Sequence, residues 1–467
     1  MNNCLVQHHS PLASSFRDPS GFLFKYNAKL YRQINLNYQD NYDFLISSGL
    51  YQNLIGQRLL ITHDEVANPE PPSFINTYKI INPIKIPFIS YPYEWCFEQL
   101  KDAALCTLQI QKLALDHSMS LKDASCYNIQ FYQGQPILID TLSFEKYNEG
   151  IPWEAYKQFC QHFLGSLVLM ACVDVRLSQL LKIYLDGIPL DLVLKLLPKT
   201  ALLSPTVFFH IYLHAKSQSH YSDKPLELKN SKHSFSKHAF YGLIDQLTNY
   251  IHDLKLPKIK TEWEGYYDET NYSNQAFEYK KTLVHEFLSN IKPKTVWDLG
   301  ANTGVFSQLA SDAGAYTVSF DIDPLAVQKN YLNCKLKNEK NILPLVLDLT
   351  NPSSALGWEN KERDNLLERG PVDVAMALAL IHHLAVSNNL PLEKISSFLK
   401  KICTHLIIEF VPKSDSQVQR LLSSRNNIFP NYTQEGFEKA FIQDFQIQKK
   451  PQVVGSERVL YIMKAKH

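Results

Sequence analysis

From Lys294 to Val411 the chain alternates short apolar segments with amphipathic ones, and this alternation limits the folds open to it more than any other feature. The apolar segments predict strands at KTVWDLG, YTVSFDID, ILPLVLDLT, VDVAMALALI and HLIIEFV. The segments between them predict helices at VFSQLASDAG, PLAVQKNYLNCKL and PLEKISSFLKKI. Such alternation is typical of a doubly wound parallel α/β sheet, whose ligand lies at the carboxyl ends of the strands. The last segment, FQIQKKPQVVGSERVLYIMKA, predicts a closing antiparallel hairpin.

The composition limits the class of protein. Of the 467 residues, 45% are hydrophobic and 20% are charged, so the chain should bury more than one core and form at least two domains. The net charge of +1 gives no electrostatic reason to bind nucleic acid or an anionic membrane. No segment has the pattern of a signal peptide or a spanning helix, and the eight cysteines form no CxxC pair. We therefore expect a cytoplasmic protein with reduced thiols and without a zinc site.

A polar stretch without periodicity divides the sequence. Residues 216–237 are rich in Ser, Lys and His and predict a linker. This places an N-terminal α+β domain at residues 1–215. The C-terminal α/β domain, with a helical extension at its start, is placed at residues 238–467.

The first predicted strand of the C-terminal domain ends in a loop with two glycines, Gly300 and Gly304. Glycines there let backbone N–H groups and a helix N-terminus approach a ligand closely. Their spacing differs from the G-x-G-x-x-G pattern of a dinucleotide site. Asp298 precedes the loop and would repel a pyrophosphate, but it suits a cationic ligand that carries an amino acid. These two features disfavour a dinucleotide, and we keep an NAD-dependent oxidoreductase only as the enzymatic alternative.

Acids also end the next two predicted strands. Asp321 follows the glycine loop by about twenty residues, where a carboxylate accepts hydrogen bonds from both hydroxyls of a ribose. Asp348 ends the third strand, where it would lie beside the exocyclic amine of an adenine. The evidence is the constellation of three acids at the ends of three consecutive strands, because one acid alone would not be specific.

These segments resemble motifs I to IV of class I S-adenosylmethionine-dependent methyltransferases, in order and at the expected spacing. The matching segments are VWDLGANTG, FDIDP, VLDLT and VDVAMALALIHHL. The resemblance implies a Rossmann-like methyltransferase domain and S-adenosylmethionine as its cofactor. It also implies that the glycine loop wraps the methionine part, with Asp321 at the ribose and Asp348 at the adenine. The implied cofactor-binding residues are Asp298, Gly300, Ala301, Asn302, Gly304, Asp321, Ile322, Asp348 and Leu349.

A narrower resemblance extends over most of the chain. It is carried by the segments FISYPYEWCFEQLKDAALCTLQIQKLAL, LKDASCYNIQF, IDTLSFE, ALALIHHL and IIEFVPKSDSQVQRLLSSR. They resemble the bacterial family grouped with the nodulation protein NoeA, which is associated with cell-surface or secreted saccharides. The resemblance implies a small-molecule acceptor, such as a saccharide or a nucleotide-linked sugar, rather than DNA or RNA.

Methyl transfer to a hydroxyl or an amine is mainly a matter of positioning, and it benefits from a base near neutrality. His382 and His383 follow the fourth strand and Glu409 ends the fifth, so these three are the candidate catalytic residues. Alternatively, one histidine caps the strand and the other packs under a helix. The segment NPSSALGWENKER carries Trp358 and Arg363, and it either covers the acceptor site or is a solvent loop.

In the N-terminal half, SLKDASCYNIQFYQGQPILIDTLSF resembles the catalytic loop of kinase-like phosphotransferases. The resemblance implies a base at Asp123, a metal ligand at Asn128 and a magnesium ligand at Asp140, and hence binding of Mg²⁺ and ATP. The pattern departs from that family, because no glycine-rich phosphate loop is visible and the ion-pairing lysine is not identifiable, since KLYRQI offers Lys29 or Arg32.

The alternative for this half is an α+β recognition domain in which the same three residues are ordinary polar turn residues. The aromatic segment SYPYEWCF would then suit stacking against the sugar rings of an acceptor. A bifunctional or non-catalytic protein that binds ATP in this half is the further alternative.

Overall fold

The computed structural model describes residues 11–66, 74–216, 235–257, 274–423 and 429–466. Most of the predicted linker, 216–237, lies outside these residues. The chain divides into two compact units, each made of several segments. Unit 1 comprises Met1–Tyr93, Phe97–Lys258 and Leu356–Arg363. Unit 2 comprises Glu94–Cys96, Ile259–Ala355 and Asp364–His467.

Unit 1 opens with an antiparallel sheet, and two short helices lie between the second and third strands of that sheet in sequence. Its strands are β1 (Gly21–Tyr26), β2 (Lys29–Asn35), β3 (His63–Glu65) and β4 (Thr77–Pro83), in the spatial order β1-β2-β4-β3. The helices α1 (Gln39–Ser47) and α2 (Leu50–Gly56) follow β2. Tyr38, Tyr42 and Leu142 pack with Ile34 and Ile81 in one core cluster, which anchors the first helix to the sheet.

The rest of unit 1 is built around one long helix, α3 (Phe97–Asp116), which is buried along most of its length. Two small antiparallel pairs follow it: β5 (Met119–Leu121) with β8 (Phe144–Lys146), and β6 (Ile129–Tyr132) with β7 (Gln135–Leu138). The later helices are α4 (Tyr156–Phe159), α5 (Gly165–Cys172), α6 (Leu180–Ile183), α7 (Leu190–Leu196), α8 (Pro205–Val207) and α9 (Lys237–Asp253). The mixture of helices and antiparallel strands agrees with the predicted α+β class, and the kinase-like fold stays a prediction.

The helix α9 corrects the predicted domain boundary, because the sequence analysis assigned residues from 238 onward to the C-terminal domain. In the structure α9 packs against α3 in unit 1. Lys112 on α3 forms an ion pair with Asp245 (2.8 Å), and the Tyr241 hydroxyl donates a hydrogen bond to Asp116. The apolar face of α9 is buried, namely Phe240, Ile244, Leu247 and Ile251. The boundary therefore follows α9.

Unit 2 is a layered α/β unit. Its strands are β9 (Thr295–Leu299), β10 (Tyr316–Asp321), β11 (Ile342–Val346), β12 (Val372–Ala377), β13 (Cys403–Phe410), β14 (Phe445–Lys449) and β15 (Val459–Ala465). Its helices are α10 (Asn274–Ile291), α11 (Val305–Asp312), α12 (Pro324–Leu336), α13 (Leu392–Ile402), α14 (Ser416–Ser423) and α15 (Gln434–Phe441). All five predicted strands and the three predicted helices between them are confirmed.

These strands form, within the described part of the chain, a seven-stranded sheet in the order β11-β10-β9-β12-β13-β15-β14. The first five are parallel to one another, and β15 runs antiparallel to both of its neighbours, which confirms the predicted closing hairpin. Pro344 lies in β11 and lacks an N–H, which an edge strand tolerates. The parallel pairing puts the carboxyl ends of β9, β10, β11 and β12 at one edge.

No helix within the described ranges is long and apolar enough to cross a membrane.

The assignment of α9 to unit 1 can be tested with Leu247→Ala. Leu247 is fully buried, so its truncation should destabilise unit 1 by about 2–4 kcal/mol through lost burial and a residual cavity. Hydrogen exchange of the full chain should then speed up in α3 and leave β9 to β13 unchanged. Asn249→Ala, on the exposed face of α9, is the control. Faster exchange in β9 to β13 instead would show that α9 packs with unit 2 and would contradict the assignment.

Candidate functional site

The carboxyl ends of the parallel strands of unit 2 enclose a cleft of about 290 Å³. Of the nine predicted cofactor-binding residues, eight line it: Asp298, Gly300, Ala301, Asn302, Asp321, Ile322, Asp348 and Leu349. The ninth, Gly304, precedes α11 and closes the loop beside the cleft. The structure therefore brings the predicted residues together at one edge of the sheet.

The loop between β9 and α11 depends on its two glycines. Gly300 and Gly304 have φ values of 75° and 83°, in the left-handed region that disfavours side chains. A Cβ atom on Gly304 would also lie 2.3 Å from the Oδ1 atom of Asn330. The backbone N–H groups of Gly300 and Ala301 both donate to the carbonyl oxygen of Phe320, so the loop is held against the end of β10.

Asp298 is buried at the end of β9, where its Oδ2 atom accepts a hydrogen bond from the Ser307 hydroxyl (2.6 Å). Burial raises the pKa of Asp298 to about 7, although the Ser307 hydroxyl and the Lys280 ammonium favour the carboxylate. Near neutral pH this site therefore holds a carboxyl group close to its titration point. A cation beside it would favour the charged form.

Asp321 supports the loop as well as facing the cleft. Its Oδ2 atom accepts the backbone N–H of Asn302 (2.7 Å), and its Oδ1 atom accepts the backbone N–H of Asp323 (2.9 Å). Burial raises the pKa of Asp321 to about 6, against the effect of these two N–H donors. A third backbone N–H, that of Ile322, also favours the carboxylate. A carboxylate has about four acceptor positions, so acceptor capacity remains for a hydroxyl of a ligand.

The far end of the cleft has both polar and apolar walls. Asp348 follows β11, and its Oδ1 atom accepts hydrogen bonds from the backbone N–H and the hydroxyl of Thr350. Ile322 is 58% exposed and lines the cleft. An exposed isoleucine beside a carboxylate gives a flat aromatic ring a surface to pack on and an acceptor for its amine.

The three candidate catalytic residues lie in different environments. His383 lines the cleft and begins a π-helical turn, His383–Ser387. His382 is only 1% exposed; its ring packs against that of His383, with 4.2 Å between centroids. Its Nδ1 atom has no hydrogen-bond partner among the described residues. Burial lowers the pKa of both imidazoles, so both are neutral near pH 7. Only His383 is placed to reach a ligand.

Glu409 is a correction to the predicted catalytic set. It is completely buried in β13, where its Oε2 atom lies 2.7 Å from the ammonium of Lys280. Its Oε1 atom lies 3.9 Å from a guanidinium nitrogen of Arg458. A buried carboxylate that already contacts two cations is poorly placed to take a proton from an acceptor. Its position indicates a structural or electrostatic role.

Phe277 and Lys280 on α10 are among the cleft residues that the sequence analysis missed. The signal was present in the sequence. Lys280 lies at helical spacing from Val284 and Phe287, so the apolar stripe of this helix carries a lysine. In the structure Lys280 is 2% exposed and packs over the ring of Phe306.

The described residues that line the cleft include neither Trp358 nor Arg363. The C-terminal part of the segment that carries them, Leu356–Arg363, groups with unit 1. Glu362 is buried and receives hydrogen bonds from Arg17, and the Arg363 guanidinium lies 4.5 Å from the ring centre of Tyr127. Trp358 is 66% exposed. The prediction that this segment covers the acceptor site is therefore not supported by its contacts.

The three polar candidates of the N-terminal half do lie together in unit 1. Asp123 accepts a hydrogen bond from Asn128, and the negative charge of Asp140 helps burial to raise the pKa of Asp123. Asp140 forms an ion pair with Arg32 (2.8 Å), which also approaches Asp18 (3.4 Å). Of the two cations that the sequence offered, Arg32 is the one at this cluster.

This cluster does not fit a magnesium–nucleotide site as it stands. Asp140, the predicted magnesium ligand, already carries Arg32 as its partner. Among the described residues no three His, Cys, Asp or Glu side chains converge as a metal site would require. The residues thus do not support the predicted binding of Mg²⁺ and ATP.

The aromatic segment SYPYEWCF is not a platform for sugar rings, which corrects that prediction. Tyr91, Tyr93 and Trp95 are all buried. The rings of Tyr91 and Tyr93 are stacked, with 5.6 Å between their centroids. Aromatic content in the sequence gave no information about exposure, and here these side chains pack in the protein interior.

Comparison with known proteins gives one relative along nearly the whole chain. The nodulation protein NoeA of Rhizobium meliloti (strain 1021) is 35% identical over 455 residues, which is 96% of this chain and 95% of the relative. No protein-family model matches the chain.

Solved structures match only part of the chain. The N-methyltransferase NodS from Bradyrhizobium japonicum WM9 is 12% identical and covers 42% of this chain and 99% of its own, with a TM-score of 0.30. The magnesium protoporphyrin IX methyltransferase ChlM from Synechocystis PCC 6803 is 18% identical and covers 44% and 93%, with a TM-score of 0.31. At these TM-scores neither likeness supports a conclusion about this chain.

The buried state of Asp298 predicts a pH-dependent gain in stability for Asp298→Asn. The pKa of Asp298 in the folded state, about 7, lies above its ordinary value of 3.8. The protonated carboxyl therefore contributes its full stabilisation of the folded protein below pH 3.8, and this stabilisation is lost as the pH rises through 7. The stability of the ligand-free variant relative to wild type should therefore grow by on the order of 2–3 kcal/mol between pH 5 and pH 8. Urea unfolding at both pH values measures it. Asp312→Asn, at an exposed aspartate, is the control. If the stability difference between Asp298→Asn and wild type does not depend on pH, the raised pKa of Asp298 is contradicted.

Proposed function

The chain belongs to the family of the nodulation protein NoeA, and on this premise we propose that unit 2 transfers a methyl group from S-adenosylmethionine to a small-molecule acceptor. The observation that carries the proposal is the cleft, in which Asp298, Asp321 and Asp348 end three adjacent parallel strands. The sheet order, with its antiparallel β15 next to β13, supports the class I methyltransferase fold that the motifs predicted.

The residues present fit this cofactor better than a dinucleotide. Asp298 and the glycine loop would hold the amino-acid end, Asp321 the ribose, and Asp348 with Ile322 the adenine. S-adenosylmethionine carries a sulfonium and an ammonium, and a cleft lined by three acids complements that charge. A pyrophosphate would instead be repelled by Asp298. The alternative of an NAD-dependent oxidoreductase is therefore not favoured.

When bound, the cofactor supplies an electrophilic methyl group, and the chain supplies position and a base. The cleft would orient the donor for in-line transfer to the acceptor. His383 is the side chain placed to accept the proton that a hydroxyl or amine acceptor releases. Its lowered pKa keeps the imidazole neutral, and so able to accept a proton, near pH 7.

For the acceptor we infer a saccharide or a nucleotide-linked sugar, and this step rests on the family resemblance. Thr350, Ser387 and Asn388 line the cleft and supply groups that hydrogen-bond hydroxyls. The near-neutral charge of the chain disfavours nucleic acid, whose binding depends on neutralising phosphates. A cytoplasmic location stays a prediction.

For unit 1 we propose a role in recognising the acceptor, with Asp123, Asn128 and Asp140 as its polar residues. The cluster supports this because it gathers acids around a cation, Arg32, in a part of the chain that is too large for a simple lid. The alternative in which unit 1 binds ATP is not favoured by the ion pair of Asp140.

The cofactor assignment predicts that Asp321→Ala binds S-adenosylhomocysteine on the order of 30-fold more weakly, because a charge-assisted contact to the ribose is lost. Isothermal titration calorimetry measures this, with the exposed Asp312→Ala as control. Unchanged affinity in the Asp321 variant would contradict the assigned role. If wild type binds neither S-adenosylmethionine nor S-adenosylhomocysteine, the enzyme proposal fails, and micromolar binding of NADH would favour the oxidoreductase.

The acceptor proposal predicts where a transferred methyl group will be found. Full-length protein incubated with methyl-labelled S-adenosylmethionine and an extract of its own cells should label the saccharide or nucleotide-sugar fraction. Heat-inactivated protein and the Asp321→Ala variant are the controls. Label found mainly in protein or RNA would overturn the proposed acceptor class while leaving methyl transfer itself in place.

A further inference from the structure

A row of charged side chains with alternating sign runs through unit 2 to the wall of the cleft. In order, it consists of Asp298, Lys280, Glu409, Arg458 and Asp415. The ammonium of Lys280 lies 2.7 Å from Glu409, which lies 3.9 Å from Arg458, and Arg458 lies 2.7 Å from Asp415. Burial lowers the pKa of Lys280, and the negative charges of Glu409 and Asp298 oppose that shift. The Lys280 ammonium in turn favours the Asp298 carboxylate. We call this set the ionic row.

The ionic row is buried, and this makes it costly unless the charges compensate one another. Lys280, Glu409 and Arg458 are each at most 3% exposed. Well-packed apolar residues would stabilise the same interior at least as well as a buried ion pair. Stability alone therefore does not explain the ionic row. Its position suggests a role in ligand binding, because Lys280, near one end of the row, is part of the cleft wall.

Lys280 gives the cleft a feature that the three acids do not provide. Among the described residues that line the cleft, it is the one lysine or arginine. It lies at the same end as Asp298 and the glycine loop, where the amino-acid part of the cofactor is placed. That part carries an ammonium and a carboxylate on one carbon atom. The cleft thus presents an acid and a cation side by side to a zwitterion.

We propose that Lys280 binds the carboxylate of the amino-acid end of S-adenosylmethionine, and that Glu409 is a positioning residue that holds the Lys280 ammonium at the cleft wall. The inference rests on the proposed function of unit 2. An ammonium has three N–H donors, and Glu409 accepts from one of them. Asp298 then meets the ammonium of the same ligand.

The role of α10 follows from this assignment. Phe277 and Lys280 lie one helical turn apart, and both line the cleft. The ion pair with Glu409 joins α10 to β13 across 129 positions of sequence. The helix that precedes the first strand is thereby fixed at the point where it contributes two side chains to the ligand site.

The test compares S-adenosylmethionine with its decarboxylated form, which lacks only the carboxylate. By calorimetry on the full chain, wild type should bind the complete cofactor at least about tenfold more tightly. In Lys280→Met this preference should fall to within about threefold, and Glu409→Gln should reduce it in part. A merely structural role would weaken both ligands equally. Lys294→Met, at an exposed lysine just before β9, should keep the full preference.

Because Lys280→Met leaves Glu409 buried without that partner, the double variant Lys280→Met/Glu409→Gln is measured as well. It removes both charges and should fold and show the same lost preference. The inference is overturned if the preference survives in both Lys280 variants, or if both ligands weaken by the same factor. If wild type binds neither ligand, the proposed function fails instead, so the two failures are distinguishable.

Discussion

The cleft of unit 2 exists because β9 is paired in parallel with both β10 and β12. Parallel strands end at the same edge, so residues at their carboxyl ends become neighbours although they are far apart in sequence. This pairing sets Asp298 and Asp321 near each other and leaves space above them for the glycine loop. The loop in turn is fixed by Phe320 and Asp321 at the end of β10. The proposed contacts of Asp298, Asp321 and the glycine loop follow from this geometry.

The site is built from charges that the folded chain buries at a cost. Burial raises the pKa values of Asp298 and Asp321, so neither carboxylate is well solvated in the ligand-free protein. Glu409 and Lys280 neutralise each other nearby. A cationic ligand with an amino-acid end would supply the missing counter-charges. The same burial that destabilises the ligand-free unit therefore increases its selectivity for such a ligand.

Unit 1 shows how one ion pair changes the interpretation of a motif. Asp123, Asn128 and Asp140 lie together as the kinase-like resemblance implied, but Asp140 is neutralised by Arg32. The guanidinium uses an acceptor position of the carboxylate that a divalent cation would otherwise need. The arrangement therefore does not support the predicted binding of Mg²⁺ and ATP.

The sequence by itself determined the strands of unit 2, the three helices between its parallel strands and the acids at the strand ends, because apolar periodicity and glycine turns are local properties. It also placed His383 at the cleft. Only the tertiary structure decided that His382 and Glu409 are buried, that Lys280 joins the cleft, and that α9 belongs to unit 1. The reason is physical: Lys280 and Glu409 are 129 positions apart, and which side chains face the interior depends on packing between distant elements that no local pattern encodes.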